Sequence, residues 1–147
     1  MPADALPTFK FFSHFTSERL PLDWLEAKAN GALVPAIASP GPHPSCLSDL
    51  GIIEVNLVND VTIGKIHAEF LDDPSPTDVI TFHHGEIFVS VETAARVGPP
   101  LGNSEAEETL LYLIHGLLHL NGHDDHELSE RDAMHELQEK ILREILN

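Results

Sequence analysis

The pattern of apolar and polar positions sharpens from Gly51 onward. Ile52-Ile53-Glu54-Val55-Asn56-Leu57-Val58 is short and β-branched and predicts a strand. Asn59-Asp60 follows, with Asp60 placed to cap a helix on which Ile63, Ile66, His67 and Phe70 recur at helical spacing. Asp73-Pro74-Ser75-Pro76 ends that helix. Residues 78–82 and 86–91 predict two further strands, and the short His83-His84-Gly85 connection favours their antiparallel pairing. A short helix starts at Ser90 or Glu92, runs through Arg96 and is stopped by Gly98-Pro99-Pro100. Ser104-Glu105-Ala106-Glu107 has the form of a capping box and opens the longest helix. The body of that helix, from Leu110 onward, is apolar on most sides, which predicts a buried central position. Gly122 suits the left-handed turn that follows a helix. Ser129-Glu130-Arg131-Asp132 caps a final amphipathic helix carrying Met134, Leu137, Ile141, Leu142 and Ile145.

The first fifty residues carry weaker signals. Residues 17–30 predict a short helix with Pro21 near its first turn. Ser39-Pro40-Gly41-Pro42-His43-Pro44-Ser45 predicts an exposed loop, because it suits neither a helix nor a central strand. The sum is an α+β fold: a small mixed β-sheet with a central metal-binding helix and surrounding helices. Residues 1–147 read as one domain, large enough to bury a core without disulfides.

Composition changes this picture in two places. At 42% hydrophobic and 22% charged residues the chain is ordinary globular material, which excludes disordered and fibrous classes. The apolar run over residues 109–120 is interrupted by His115 and His119 and falls short of the ~20 residues that span a bilayer. No membrane role is expected, and no export signal is evident, so the expectation is a soluble cytoplasmic protein. Cys46 is the sole cysteine, which excludes an intramolecular disulfide and a cysteine-rich zinc site. The net charge of −16 is the first anomaly, because such a surface repels phosphate backbones unless a cation or a local basic groove compensates. Lys65, Arg96, Arg131, Lys140 and Arg143 are scattered and form no basic stripe.

Histidine is the second anomaly: His115, His119, His123 and His126 crowd a single short segment. His115 and His119 are separated by about 40° around a helix axis, so both imidazoles leave one face. That arrangement is a common way to supply two zinc ligands. Gly122 then lets the chain fold back, and Asp125, three residues on, reaches the same ion; His126 is the alternative third ligand. Three protein ligands leave a position open to water, the pattern of a catalytic zinc. The zinc peptidase helix His-Glu-x-x-His carries its general base directly after the first histidine. Here that residue is Gly116, which disfavours peptidase chemistry.

The segment His115-Gly-Leu-Leu-His119-Leu-Asn-Gly122-His-Asp-Asp125 resembles the His-Gly-x-Leu-His-Leu-x-Gly-Tyr-Asp-His signature of the YbeY family of endoribonucleases and rRNA maturation factors. Pro76-Thr77-Asp78-Val79-Ile80-Thr81-Phe82 resembles that family's Pro-Thr-Asp-Val-Leu-Ser-Phe, and Gly85-Glu86-Ile87-Phe88-Val89-Ser90 its Gly-Asp-Ile-x-Ile-Ser. Residues 55–60 resemble its preceding strand-to-helix turn, and Met134 and Gln138 fit its last helix. The resemblance covers residues 51–146. It implies an α+β fold, a helix-bound zinc, and cleavage of single-stranded rRNA in late small-subunit (16S) maturation and ribosome quality control. The implied partners are the small ribosomal subunit and its assembly proteins. Two positions depart from the pattern. Asp125 stands where the family usually has histidine, and Phe70-Leu71 stands where it has Tyr-Arg, whose arginine is thought to act in catalysis.

No catalytic side chain is assigned from the sequence. Thr77 and Asp78 either orient a ligand or cap a turn before the strand, and His83 and His84 either line the cleft or stand as exposed loop histidines. The leading reading is a zinc-dependent endoribonuclease. Its rivals are a ribosome assembly factor with zinc but no cleavage, and a metallopeptidase-like hydrolase.

Overall fold

The computed structural model describes residues 6–14, 20–73 and 77–147, and the chain forms four strands and five helices among them. Ser17 and the proline pair at 74 and 76, which sequence reasoning used as a helix start and a helix stop, lie outside the described residues. In chain order the elements are β1 (Thr8–Ser13), α1 (Leu22–Ile37), β2 (Ile52–Val58), α2 (Asp60–Leu71), β3 (Val79–Phe82), β4 (Glu86–Ser90), α3 (Val91–Val97), α4 (Glu105–Leu120) and α5 (Leu128–Leu146). The sheet order is β1-β2-β4-β3. β1 and β4 both run parallel to β2, while β3 is antiparallel to β4, with Phe12, Asn56, Phe88 and Ile80 in register across it. The sheet is therefore mixed, and the α+β expectation holds.

One face of the sheet makes the main core. Ile53, Val55, Leu57, Ile87 and Val89 pack against Leu110, Leu113, Ile114 and Leu117 of α4, and every one of these side chains is fully buried. α1, α3 and α5 surround α4, which makes it the central helix its composition predicted. Val58, Ile63 and Ile80 form a smaller cluster under α2. Gly116 sets how closely α4 meets the sheet. A Cβ there would lie 3.0 Å from Thr81 Oγ1 and 3.1 Å from Ile87 Cδ1. None of the helices among the described residues is long and apolar enough to cross a membrane.

The capping box at Ser104 forms as predicted, with Ser104 Oγ accepting from Glu107 N and Glu107 Oε1 accepting from Ser104 N. Four expectations need correction. β1 is a strand that the pattern of the first fifty residues does not predict, since its Thr8-Phe9-Lys10-Phe11-Phe12-Ser13 alternation is short and isolated. α1 extends past residue 30 to Ile37 and tolerates Pro35 in its last turn, where little helix remains to be broken. Asn59, not Asp60, caps α2, because its Oδ1 accepts from Thr62 N at 2.9 Å. Asp60 instead accepts from Ser90 Oγ, Thr93 Oγ1 and Arg96 at 2.6 to 2.7 Å. Finally, α5 begins at Leu128 without a side-chain cap, so Ser129 lies inside it.

Candidate metal centre

The centre is built where α4 ends. Asn121 closes the helix and Gly122 turns the chain at φ 90°, a left-handed geometry that glycine adopts without strain. The proline-rich loop packs so tightly on this turn that a Cβ on Gly122 would collide with the His43 carbonyl. Gly41 N donates to Asn121 O at 2.9 Å and His43 N to Gly122 O at 3.0 Å, which locks loop and turn together. The loop predicted as an exposed connection is thus also a wall of the site.

This turn brings Asp125 back beneath the two helix histidines. Asp125 Oδ2 lies 3.4 Å from His115 Nε2 and 3.6 Å from His119 Nε2, and the two Nε2 atoms are 3.1 Å apart. The second nitrogen of each ring is already engaged. His119 Nδ1 faces the His123 carbonyl at 3.1 Å and must donate to it. His115 Nδ1 donates to Gln138 Oε1 at 2.7 Å. In the neutral rings, both Nε2 atoms therefore present lone pairs toward each other and toward a carboxylate. Three acceptors converge with no donor among them, a set that a cation satisfies. These atoms lie within 4.8 Å of one another, so the group can hold a metal ion. Two imidazole nitrogens and one carboxylate oxygen suit zinc.

The electrostatics agree. Burial alone would lower the His115 pKa, but the hydrogen bonds to Asp125 and Gln138 and the negative charges of Asp125 and Asp78 raise it overall. Burial and the neighbouring His115 lower that of His119. The hydrogen bond from His115 outweighs burial and, with both rings' charges, holds the Asp125 carboxyl well below the usual carboxylate range. Asp125 is therefore anionic at neutral pH.

A cleft of about 720 Å³ opens beside the centre, with Leu71, Thr81, His83, His119 and Asp125 among its lining residues. A second cleft of about 690 Å³, lined by Trp24 and the start of α4, lies away from the centre. His126, the alternative third ligand, is 86% exposed at its side chain and neighbours Asp124 at 3.7 Å. It groups with Asp124 and Asp125, not with the helix histidines. His123 turns its Nε2 away to the Ser39 carbonyl at 2.6 Å. Asp78 Oδ1 accepts from Val79 N at 2.8 Å, a cap at the start of β3. His84 pairs with Glu86 at 3.0 Å and stacks on Phe82, whereas His83 lines the cleft. Leu71 also lines the cleft, while Phe70 packs edge-on against Phe82.

The sequence alone gives Gln138 no role beyond its fit to the family's last helix. It lies one turn beyond Met134, which is fully buried, so helical periodicity places it on the inward face of α5. Gly116 also gains an explanation, because its position packs on the sheet and has no room for a carboxylate side chain.

Comparison with known proteins agrees with this geometry. The family model described as Endoribonuclease YbeY matches residues 44–146. A Rhodopirellula baltica protein named Endoribonuclease YbeY is 42% identical over 96 residues, covering 58% of this chain and 50% of the relative. The chain thus spans about half the length of that relative. A Heliobacterium modesticaldum protein of the same name is 33% identical over 126 residues, 67% of this chain and 76% of the relative. The solution structure of a Thermotoga maritima protein superposes with a TM-score of 0.62 at 26% identity, covering 93% of this chain and 88% of that one. With His115, His119 and Asp125 brought together into a group that could hold a metal ion and the family match spanning most of its length, the chain belongs to the YbeY family.

Proposed function

We propose that this protein is a zinc-dependent endoribonuclease that cleaves single-stranded RNA, and that it acts in the cytoplasm on small-subunit (16S) rRNA during late maturation and ribosome quality control. The observation that carries the reading is the convergence of His115 Nε2, His119 Nε2 and Asp125 Oδ2 beside an open cleft, in a chain of this family. His115, His119 and Asp125 are the proposed ligands, with His126 as an outer neighbour of Asp125. Bound zinc supplies Lewis acidity toward water and a phosphodiester. Gln138 and the His123 carbonyl hold both imidazoles in the tautomer that ligation needs. The crowding at Gly116 leaves no place for a peptidase-type glutamate, which argues against a metallopeptidase.

One observation favours a second reading. Leu71, not arginine, lines the cleft, and a ribosome assembly factor that keeps the zinc site but no longer cleaves would show that substitution. Small-subunit assembly proteins are the proposed partners in either case. The deciding experiment follows a labelled single-stranded RNA, alone and with small ribosomal subunits, incubated with zinc-loaded protein and with His115→Ala. Turnover by the first and none by the second supports the nuclease. No turnover in either setting leaves the assembly factor.

A further inference from the structure

A cleft that receives RNA must offset phosphate charge, and this one contains no lysine or arginine among its lining residues. Its potential donors are histidines, and most of them are committed. His119 belongs to the metal cluster, and His123 Nε2 is held by the Ser39 carbonyl at 2.6 Å. His43 Nε2 is 2.6 Å from Glu130, and His126 Nε2 is 3.7 Å from Asp124. His83 differs. Among the described residues its imidazole makes no hydrogen bond or ion pair, and its ring is exposed.

The backbone beneath that ring is fixed. His83 directly follows β3, which packs on α4 and pairs with β4, and its carbonyl accepts from Cys46 Sγ at 3.3 Å. A pinned main chain with a free imidazole on the cleft wall is a pre-positioned donor, since either protonation state offers an N–H to a phosphate oxygen. We infer that His83 is a substrate-binding residue that contacts an RNA phosphate in the cleft, in a chain whose position 71 carries no arginine. This assignment rests on the nuclease reading.

The test uses the zinc-loaded full chain and a labelled single-stranded RNA, with cleavage followed by gel and binding by fluorescence anisotropy. His83→Ala is expected to lower kcat/KM about tenfold or more, the effect of losing a hydrogen bond to a charged group. His83→Arg is expected to match or exceed wild type, and zinc content is expected to stay unchanged in both. A second substrate carries an uncharged methylphosphonate at the scissile or an adjacent linkage. If His83 reads phosphate charge, the Ala penalty shrinks at one of those linkages. A wild type that cleaves while His83→Ala cleaves equally well overturns this assignment alone. Loss of zinc from His83→Ala, or an undiminished penalty on every methylphosphonate substrate, also overturns it by pointing to a structural role. A wild type that neither binds nor cleaves the RNA, free or with small ribosomal subunits, overturns the nuclease reading, and the assignment falls with it.

Discussion

Gln138 Oε1 lies 2.7 Å from His115 Nδ1, so the last helix of the chain decides which nitrogen of a central-helix histidine faces His119 and Asp125. Partners of this kind fix ring orientation and raise ligand basicity. Gln138→Leu should therefore weaken zinc binding about 10- to 100-fold while leaving the fold intact. Gln138→Glu, which keeps an acceptor in place, should retain or strengthen it. Chelator competition measures both, and a leucine variant with unchanged affinity would remove Gln138 from the account.

The third ligand can be tested by ranking. Asp125 Oδ2 sits 3.4 and 3.6 Å from the two Nε2 atoms, while the exposed His126 ring lies outside that group. Asp125→Ala should cost more zinc affinity than His126→Ala in the same competition assay. The reverse order would move ligation to His126 and require the loop after Gly122 to rearrange.

The parts of this fold that the sequence shows are those governed by local rules. β2, the β3–β4 hairpin and the capping box at Ser104 depend on β-branched runs, a short connection and a four-residue hydrogen-bond pattern, and each is visible in its own segment. The His115–His119 face follows from helical geometry alone. What escaped was decided by distant partners. β1 is a strand because it pairs with β2 some forty residues later, and its own six residues barely announce it. Asn59 displaced Asp60 as the cap of α2 because Asp60 is drawn to Ser90 and Thr93 across the fold. The loop from Ser39 to Ser45 could be recognised as non-regular, but its packing on Gly122 depends on a contact eighty residues away.

Gly116 offers a test of packing. Alanine is the better helix former by about 1 kcal/mol. Its Cβ, however, would stand 3.0 to 3.2 Å from Thr81 Oγ1 and two atoms of Ile87, and Ile87 is fully buried, so relieving the contact means shifting packed core atoms. Overpacking of this kind costs about 1–3 kcal/mol, so Gly116→Ala should be net destabilising by about 1 kcal/mol. Gly116→Glu, which writes the zinc peptidase sequence into the helix, should unfold the protein and create no peptidase. Thermal melts and a peptide-hydrolysis assay check the two statements.

Asp60 gives a pH-dependent prediction away from the centre. Burial raises its pKa, but hydrogen bonds from Ser90, Thr93 and Arg96 outweigh that and leave it below the usual value. Arg96 is 62% exposed at its side chain, so the two hydroxyl bonds contribute most of the effect. A depressed folded-state pKa means stability that is present above the unfolded value near 3.9 and lost as pH falls through the folded value. Asp60→Asn should therefore cost about 1–2 kcal/mol near neutral pH. The gap to wild type should close below about pH 4. Urea unfolding at both pH values measures it, and a gap independent of pH would show that the carboxylate charge is not its source.

Leu71 is where sequence, family and cleft meet. The family pattern places an arginine there, the leucine is 53% exposed, and its position lines the cleft that holds His119 and Asp125. An arginine at this point can reach a phosphate with a charge-assisted bond without displacing any core side chain. Leu71→Arg should raise cleavage of free single-stranded RNA about tenfold or more, on the scale of a hydrogen bond to a charged group. It should also steepen the salt dependence of RNA binding, because one added phosphate contact changes the log–log slope by roughly 0.7 on a single strand. Wild type, with a net charge of −16 and no cationic side chain among the lining residues, should bind free RNA weakly and with a shallow slope. Its activity should be much higher on small ribosomal particles, where a protein partner can supply the missing positive charge. Anisotropy titrations across a salt series, paired with cleavage of the same RNA free and on the particle, separate these effects. If Leu71→Arg changes neither slope nor rate while zinc content is normal, position 71 does not meet the substrate. If wild type is then also inactive on the particle, the assembly-factor reading replaces the nuclease.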